Sequence, residues 1–495
     1  MASCGGRGGE CHQSHCQRSE EDGGTEEATR ETVASLSVAG DSPPSSATRG
    51  GALEQCTKCG ETVAAAAPRA INGLCAACFR AYLFGKFKLA VTTNAMISPT
   101  DNVLVAFSGG PASRVALQFV HEMQCISLKN LNASKSQALP VFGVGVAFID
   151  ESAISIGPLH EMNKVIAQIR SIVSTLSPAH KELHIKPLEN ICSMSSNDGR
   201  IRLNELLDSV TDATGKEDFM KYLRMLTLQK IALDNGYSKL LLGSCTSTIA
   251  CHVISATVKG QGYSLPGDVQ YVDARWEVPV VLPLRDCTAE ELNQLCHLDG
   301  LELLQLIKRP SNSINSLVSS FVARLRDENP SRERTIVRTA EKLRPFCFNK
   351  FVEDTYHEFV PSRLRCKFQN INNSETALSE VLCPLCGSPL SEPEVQSLRN
   401  ILEKTQTLVE NFTAHCCQSC SFQILPTGAE SLQHFYTVLP QSVTVRVTGG
   451  TSDHSQLRYT MELKYFLKLF NFLFRELIDD CLLLNQASVM TESNP

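Results

Sequence analysis

Residues 103–120, VLVAFSGGPASRVALQFV, decide how this chain is read. Val103 to Phe107 is an unbroken apolar run of strand length. Ser108-Gly109-Gly110 is a tight glycine turn, and Pro111 suits the first turn of a helix that continues through Val120. A strand, a glycine turn and a helix N-terminus together form a cradle of backbone amides for phosphate. Ser108, Gly109, Gly110 and Ser113 are its candidate lining residues. Position 112 is alanine, however, so the loop lacks an acid to manage metal and phosphate charge. Arg114 is expected at the solvent-exposed surface of the helix, with contact to a phosphate as the alternative.

Outward from this unit, apolar runs alternate with helical patterns. Strands are expected at 102–107, 140–149, 183–188, 238–243 and 277–284. Helices are expected near 112–124, 158–176, 216–235, 246–258 and 288–298. Continuous apolar strands separated by amphipathic helices predict a parallel, five-stranded, Rossmann-like α/β sheet covered on both faces.

The chain has 495 residues, 43% of them hydrophobic, with a net charge of −6, of which −4 falls in residues 1–50. This excludes a wholly basic nucleic-acid coat but leaves room for local basic patches. The boundaries expected from composition are a disordered acidic head at 1–50 and a cysteine module at 51–90. The α/β domain follows at 95–300, and a basic helical segment at 301–378. A second cysteine module is placed at 379–430 and a C-terminal tail at 431–495. The tail reads as a strand-like stretch, a polar turn and the amphipathic helix YFLKLFNFLF at 465–474. No apolar run is long enough to span a membrane, and the N-terminus lacks the apolar core of a signal peptide.

Twenty-one cysteines are many for this length, and eight form CxxC pairs. Without secretion, such pairs favour metal over disulfides. Cys56, Cys59, Cys75 and Cys78 have the spacing of a closed, four-thiolate structural zinc ribbon with no open position for catalysis. Cys383, Cys386, Cys417 and Cys420 repeat it around a longer, helical insertion, with Cys416 a rival for Cys417 and His415 a weaker substitute. Cys11, His12, His15 and Cys16 in the head read as incidental. Two basic stretches are candidate RNA contacts. One is the edge of the first module, where Arg80, Lys86 and Lys88 are interleaved with Tyr82, Phe84 and Phe87. The other is the helical segment with Arg324, Arg334, Arg338 and Lys342, whose bases can equally pair with Asp327, Glu328, Glu333 and Glu341.

SGGPAS after a strand resembles the SGGxDS loop of the PP-loop ATP pyrophosphatases, a superfamily with the adenine nucleotide α-hydrolase-like fold. The four-cysteine ribbon, Ile149-Asp150-Glu151, GYSKLLLGSCTS, VVLPLRD, RTAEKL and the terminal RELIDDCLL narrow this. They resemble the cytosolic tRNA 2-thiolation proteins over roughly residues 55–425. The family's catalytic members have an aspartate at the position of Ala112. They also carry a CxxC before the helix that here reads TGKEDFMKYLRMLTLQKIALDNGY. Their GHNxDD is replaced here by Gly243-Ser244-Cys245-Thr246-Ser247. A sulfur-relay enzyme needs a thiolate nucleophile, and a lone Cys245 is expected to be a small buried residue. The resemblance therefore implies a non-catalytic subunit in a heterodimer with the catalytic thiolase.

It further implies tRNA binding and a pathway in which a thiocarboxylated ubiquitin-related modifier delivers sulfur to the wobble uridine. The implied cofactors are two structural zinc ions. ATP binding stays open, since the amide cradle survives while its charge anchor is gone. Two other readings remain: a PP-loop enzyme adenylating a substrate alone, and a zinc-ribbon scaffold without RNA affinity.

Overall fold

The computed structural model describes residues 54–60, 62–63, 73–133, 140–154, 159–177, 181–193, 196–304, 312–343, 381–402 and 407–448. The expected acidic head, the metal-binding residues considered within it and the amphipathic helix at 465–474 lie outside these residues.

At the centre is a six-stranded sheet. A separate antiparallel pair, β1 (Glu54–Gln55) and β2 (Thr62–Val63), precedes it; the strands of the central sheet are β3 (Asn102–Ala106), β4 (Gly143–Asp150), β5 (Glu182–Pro187), β6 (Lys239–Leu241), β7 (Val272–Asp273) and β8 (Val280–Val281). The order is β5-β4-β3-β6-β8-β7, and the first five are parallel. The expected five strands are all present at their places. The sixth, β7, pairs antiparallel with β8 through Val272↔Val281. It was missed because two residues carry no legible alternation.

The glycine turn follows β3, the strand where the order reverses, since β4 lies on one side and β6 on the other. The crevice at such a switch point is where open α/β sheets accept ligands. Val103, Leu104 and Val105 are fully buried, so β3 reads as a continuous apolar run because both sheet faces are covered.

The covering helices include α1 (Ala76–Thr93), α2 (Pro111–Ala133), α3 (Leu159–Ser174), α4 (Ser196–Ser209), α5 (Ala213–Asp234) and α6 (Thr246–Val258). After them come the single turn α7 (Leu265–Asp268), α8 (Ala289–Leu298), α9 (Ile314–Glu328) and α10 (Ser331–Ala340). On α1, Phe79, Leu83 and Phe87 recur at helical spacing and are all fully buried. Phe119 of α2 meets Phe84 and Phe87 edge-on at 5.3 and 5.5 Å. Of the aromatic edge expected to stack on bases, Phe87 belongs to the core and Phe84 packs against it, while Tyr82 is exposed. Capping is local and legible: Asp212 accepts from the Gly215 amide, and Thr288 forms a reciprocal capping box with Glu291.

Past residue 381 come α11 (Glu392–Leu402), α12 (Leu408–Ala414), α13 (Gln418–Gln423), α14 (Ala429–Val438) and α15 (Gln441–Thr448). The strand-like stretch expected after 430 is helical instead. Phe435, Val438 and Val443 are buried in a core that β-propensity alone does not foresee. That core also contains Leu203 and Leu206 of α4 and Phe219, Tyr222 and Leu223 of α5, so the second cysteine module packs into the α/β layer. No helix among the described residues is long and apolar enough to cross a membrane.

Candidate functional site

The loop at the end of β3 has the backbone of a phosphate cradle, but its groups are largely engaged with one another. Ser113 Oγ accepts from the Ser108 amide (3.3 Å) and lies 3.2 Å from Ser108 Oγ. It also donates to the Gly110 carbonyl at 2.9 Å. Gly109 adopts φ +78°, and its carbonyl accepts from the Leu304 amide at 3.0 Å. A Cβ on Gly109 would lie 2.4 Å from Leu304 Cδ1, so the chain after α8 is seated directly on the turn. Across the switch point, a Cβ on Gly243 would come within 2.7 Å of the Ser113 amide nitrogen. The end of β6 thus abuts the start of α2.

Arg114 departs from expectation. It is 6% exposed, turned inward rather than to solvent. Its Nη1 donates to Gln118 Oε1 at 3.1 Å, while its buried Nε has no partner. Burial pulls its pKa below the usual value. Helix α2 is covered on that side by the segment after α8, which no local pattern in VALQFV reveals.

The thiols around this edge are buried. Cys245 is 2% exposed at the N-cap of α6. Cys296, which sequence reasoning did not single out, places its Sγ 3.8 Å from the Pro111 carbonyl. A lone cysteine in an amphipathic helix gives no signal of such a placement. Burial pushes its pKa up to about 11 and that of Cys287 up to about 12, holding both as thiols. At the end of β4, Asp150 Oδ1 accepts from the Ser152 amide at 2.8 Å, and Glu151 is paired with Arg224.

Two groups of four cysteines converge. In each group the four sulfur atoms lie within 4.8 Å of one another: Cys56, Cys59, Cys75 and Cys78, and Cys383, Cys386, Cys417 and Cys420. Sulfurs bound at about 2.3 Å around a tetrahedral ion are about 3.8 Å apart. Cys59–Cys75 and Cys386–Cys417 are both at 3.7 Å. Each group can hold a metal ion.

In both groups the second CxxC opens a helix. Cys75 Sγ accepts from the Cys78 amide at 3.4 Å, and Cys417 Sγ from the Cys420 amide at 3.5 Å. The amides of Cys59, Cys75 and Lys58 hold the Cys56 thiol down at about 6. Cys78 rises to about 12, because Cys75 and then Cys59 share its proton. Burial pushes Cys383 up, but hydrogen bonds from Cys386, Cys416, Cys417 and Cys420 outweigh it and bring it well below the usual thiol value. Cys416 lies outside the four and donates to the Phe412 carbonyl at 3.4 Å. His415 Nδ1 is occupied by the Asn411 carbonyl at 2.8 Å.

The basic candidates divide into two sets. Arg80 forks onto Glu122 (2.7 and 3.2 Å) and reaches Asp299 Oδ2 at 2.8 Å. Lys86 lies 4.5 Å from the Tyr82 ring centroid and donates to Glu291 Oε1 at 2.9 Å. That oxygen also takes Arg334 Nη2 at 3.0 Å. These three cations join elements of the fold. Glu333, expected on a solvated face, is 1% exposed and accepts from Ser247 Oγ. Lys88, Arg324, Arg338 and Lys342 are exposed and form no ion pair among the described residues.

The family model for cytoplasmic tRNA 2-thiolation protein 2 matches residues 313–421. A protein of that name from Oryza sativa subsp. indica is 59% identical over 414 residues, 84% of this chain and 89% of the relative. The Arabidopsis thaliana protein is 50% identical over 417 residues, 84% and 87% of the two chains. The Homo sapiens protein is 26% identical over 367 residues, 61% and 69%. Among solved structures, the U34-tRNA thiolase NcsA from Methanococcus maripaludis with its 4Fe-4S cluster aligns with a TM-score of 0.45. The identity is 17%, over 61% of this chain and 92% of that one.

Proposed function

This chain belongs to the cytoplasmic tRNA 2-thiolation protein 2 family, and from that premise we propose that it is the non-catalytic subunit supporting tRNA 2-thiolation in the cytoplasm. The modified position is the wobble uridine of tRNAs for lysine, glutamate and glutamine. A catalytic partner subunit activates the uracil carbonyl with ATP and exchanges its oxygen for sulfur supplied by a thiocarboxylated ubiquitin-related modifier. This chain forms a heterodimer with that partner and helps hold the tRNA.

One observation carries the non-catalytic assignment: the loop at the switch point retains its backbone but has alanine in place of its acid, and the thiols described around it are buried. Ala112 stands at the acidic position. Cys245, Cys287 and Cys296 are buried, and the last two are held protonated. The Ser108 amide is turned onto Ser113.

Zinc is the ion that best fits the two cysteine groups. Four thiolates within 4.8 Å of one another, with one pair in each group at 3.7 Å, suit a tetrahedral, borderline-soft cation and leave no position open for a substrate. The ions then serve folding, holding 51–90 and 379–430 as small modules flanking the sheet. The uncommitted cations Lys88, Arg324, Arg338 and Lys342 are available to tRNA phosphates, whereas Arg80, Lys86 and Arg334 serve the fold.

Nucleoside mass spectrometry of tRNA from cells lacking the chain tests the reading. The expected result is loss of 2-thiouridine at the wobble position, restored by the wild-type gene. Unchanged 2-thiouridine sinks the assignment, and steady ATP turnover to AMP by the purified chain alone replaces it with an autonomous enzyme.

A further inference from the structure

Phe422 is 88% exposed, the most exposed large apolar side chain among the described residues. It is nevertheless held on a firm base. Helix α13 is capped by Cys417 and contains Cys420, two members of the second cysteine group. It is seated on the first turn of α5: a Cβ on Gly215 would lie 2.1 Å from the Gln423 carbonyl oxygen. Gln261, just past α6, donates from Nε2 to Ser419 Oγ at 3.2 Å. These contacts bring the start of α5 and the chain just past α6 against the helix that carries Phe422. Val258 (61%) and Tyr263 (50%) are exposed on the α6 side, and on α5 Lys221 is exposed and Lys216 half-buried.

The acids of this region are already committed. Asp218 receives Lys259 Nζ at 2.5 Å on one oxygen and Asn315 Nδ2 at 3.0 Å on the other. Asp268 receives Arg275 on Oδ1, and His252 and Ser264 on Oδ2. Lys221 has no hydrogen bond or ion pair among the described residues, although the protein packed around it lowers its pKa against the pull of Asp218 and Asp268, and Lys216 is held only at 3.9 Å from the exposed Asp208.

We propose that Phe422, with Lys216 and Lys221, forms a stacking site for an unpaired nucleotide of tRNA. The ring takes the base face and the ammonium groups take the flanking phosphates. The assignment rests on the tRNA reading above. An exposed aromatic on a held helix, beside two weakly paired cations, suits single-stranded RNA, because every base has a π-face and every nucleotide a phosphate. An apolar protein pocket would have no use for the two ammonium groups. The basic stretches singled out in the sequence are elsewhere, at 80–88 and 324–342.

The experiment measures binding of a fluorescently labelled tRNA-Lys anticodon stem-loop to the full chain by anisotropy across a salt series. The same duplex closed without its loop is the control. Phe422→Ala is expected to weaken binding of the looped RNA about tenfold, while Phe422→Trp retains it. Lys221→Glu is expected to lower the slope of log affinity against log salt by about one. Metal content and the melting curve of each variant establish that the module is intact.

Wild-type affinity in Phe422→Ala overturns the proposal. So does an equal loss on the loopless duplex, a failure of the wild-type chain to bind looped RNA, or loss of a copurifying protein with RNA affinity unchanged. Cells lacking the chain separate this from the premise. If their tRNA has lost 2-thiouridine while every variant binds RNA like wild type, the stacking site falls and the functional assignment stands.

Discussion

Two glycines show how differently a single methyl group is received. Gly243 faces backbone: a Cβ there would come within 2.7 to 2.8 Å of Ser113 and Ala112 main-chain atoms, which cannot swing aside. Gly85 lies inside α1 with nothing within 4 Å of the same point. Gly243→Ala is therefore expected to destabilise the fold by about 1–3 kcal/mol through overpacking. Gly85→Ala should stabilise it by up to about 1 kcal/mol, since alanine loses less backbone freedom in a helix. Urea unfolding of the two variants reads both signs, and a shift in the same direction for both refutes the distinction. Arg114 shows the converse, a polar residue whose surroundings no local pattern discloses. Its position on the helix is plain from the sequence, but the segment that buries it belongs to residues far along the chain.

Among the elements, the junction of α6 with α7 carries two groups, His252 and Asp268, whose protonation is tied to the fold. Burial, and then the charge of Lys221, depress the pKa of His252 below its ordinary value against the pull of Asp268. The folded protein therefore keeps His252 neutral while the unfolded chain takes a proton near pH 6.5. The stability it contributes is present above that pH and is lost as pH falls. Asp268 follows at lower pH. Burial pushes its carboxyl up, but the Arg275 charge and the His252 hydrogen bond outweigh this and hold it well below the carboxylate range. Its contribution is present above about pH 4 and lost below. Urea midpoints measured from about pH 7.5 down to about pH 5 should fall in the wild type and fall less in His252→Gln. Equal slopes would rule His252 out as the source. The elements themselves were largely legible, since α5, α6 and α8 fall within a few residues of their expected spans. Helix α4 was not, and neither were α14 and α15, because TVLPQSVTVRV is rich in β-branched residues and takes its helical form from the core it enters.

For the molecule as a whole, the sheet and both cysteine groups were readable because each rests on a pattern that is local or strictly spaced. The connections between them were not. Glu291, on α8, receives Lys86 from α1 and Arg334 from α10 on one oxygen, while its other oxygen accepts from the Thr288 amide. Two candidate RNA-binding residues are thereby paired within the fold by a carboxylate that no local pattern in the sequence marks out. Buried to 3% exposure, Glu291 also illustrates why charge clusters are ambiguous in sequence: the partner that neutralises them is distant along the chain.

The second module is joined to the sheet layer through Tyr222, whose hydroxyl donates to the Pro384 carbonyl at 2.7 Å inside the first CxxC. Arg446 Nη1 donates to the same hydroxyl at 2.8 Å, and its guanidinium lies 5.0 Å from the Trp276 ring. Trp276 is the single tryptophan in the chain. The protein thus carries its own optical probe at this joint, with no label required. Removing metal with a chelator, or by Cys383→Ser, should shift Trp276 emission to longer wavelength as the guanidinium leaves and water enters. Cys56→Ser, in the other cysteine group, should leave the emission in place. Identical spectra for Cys383→Ser and wild type would show that the joint holds without its metal.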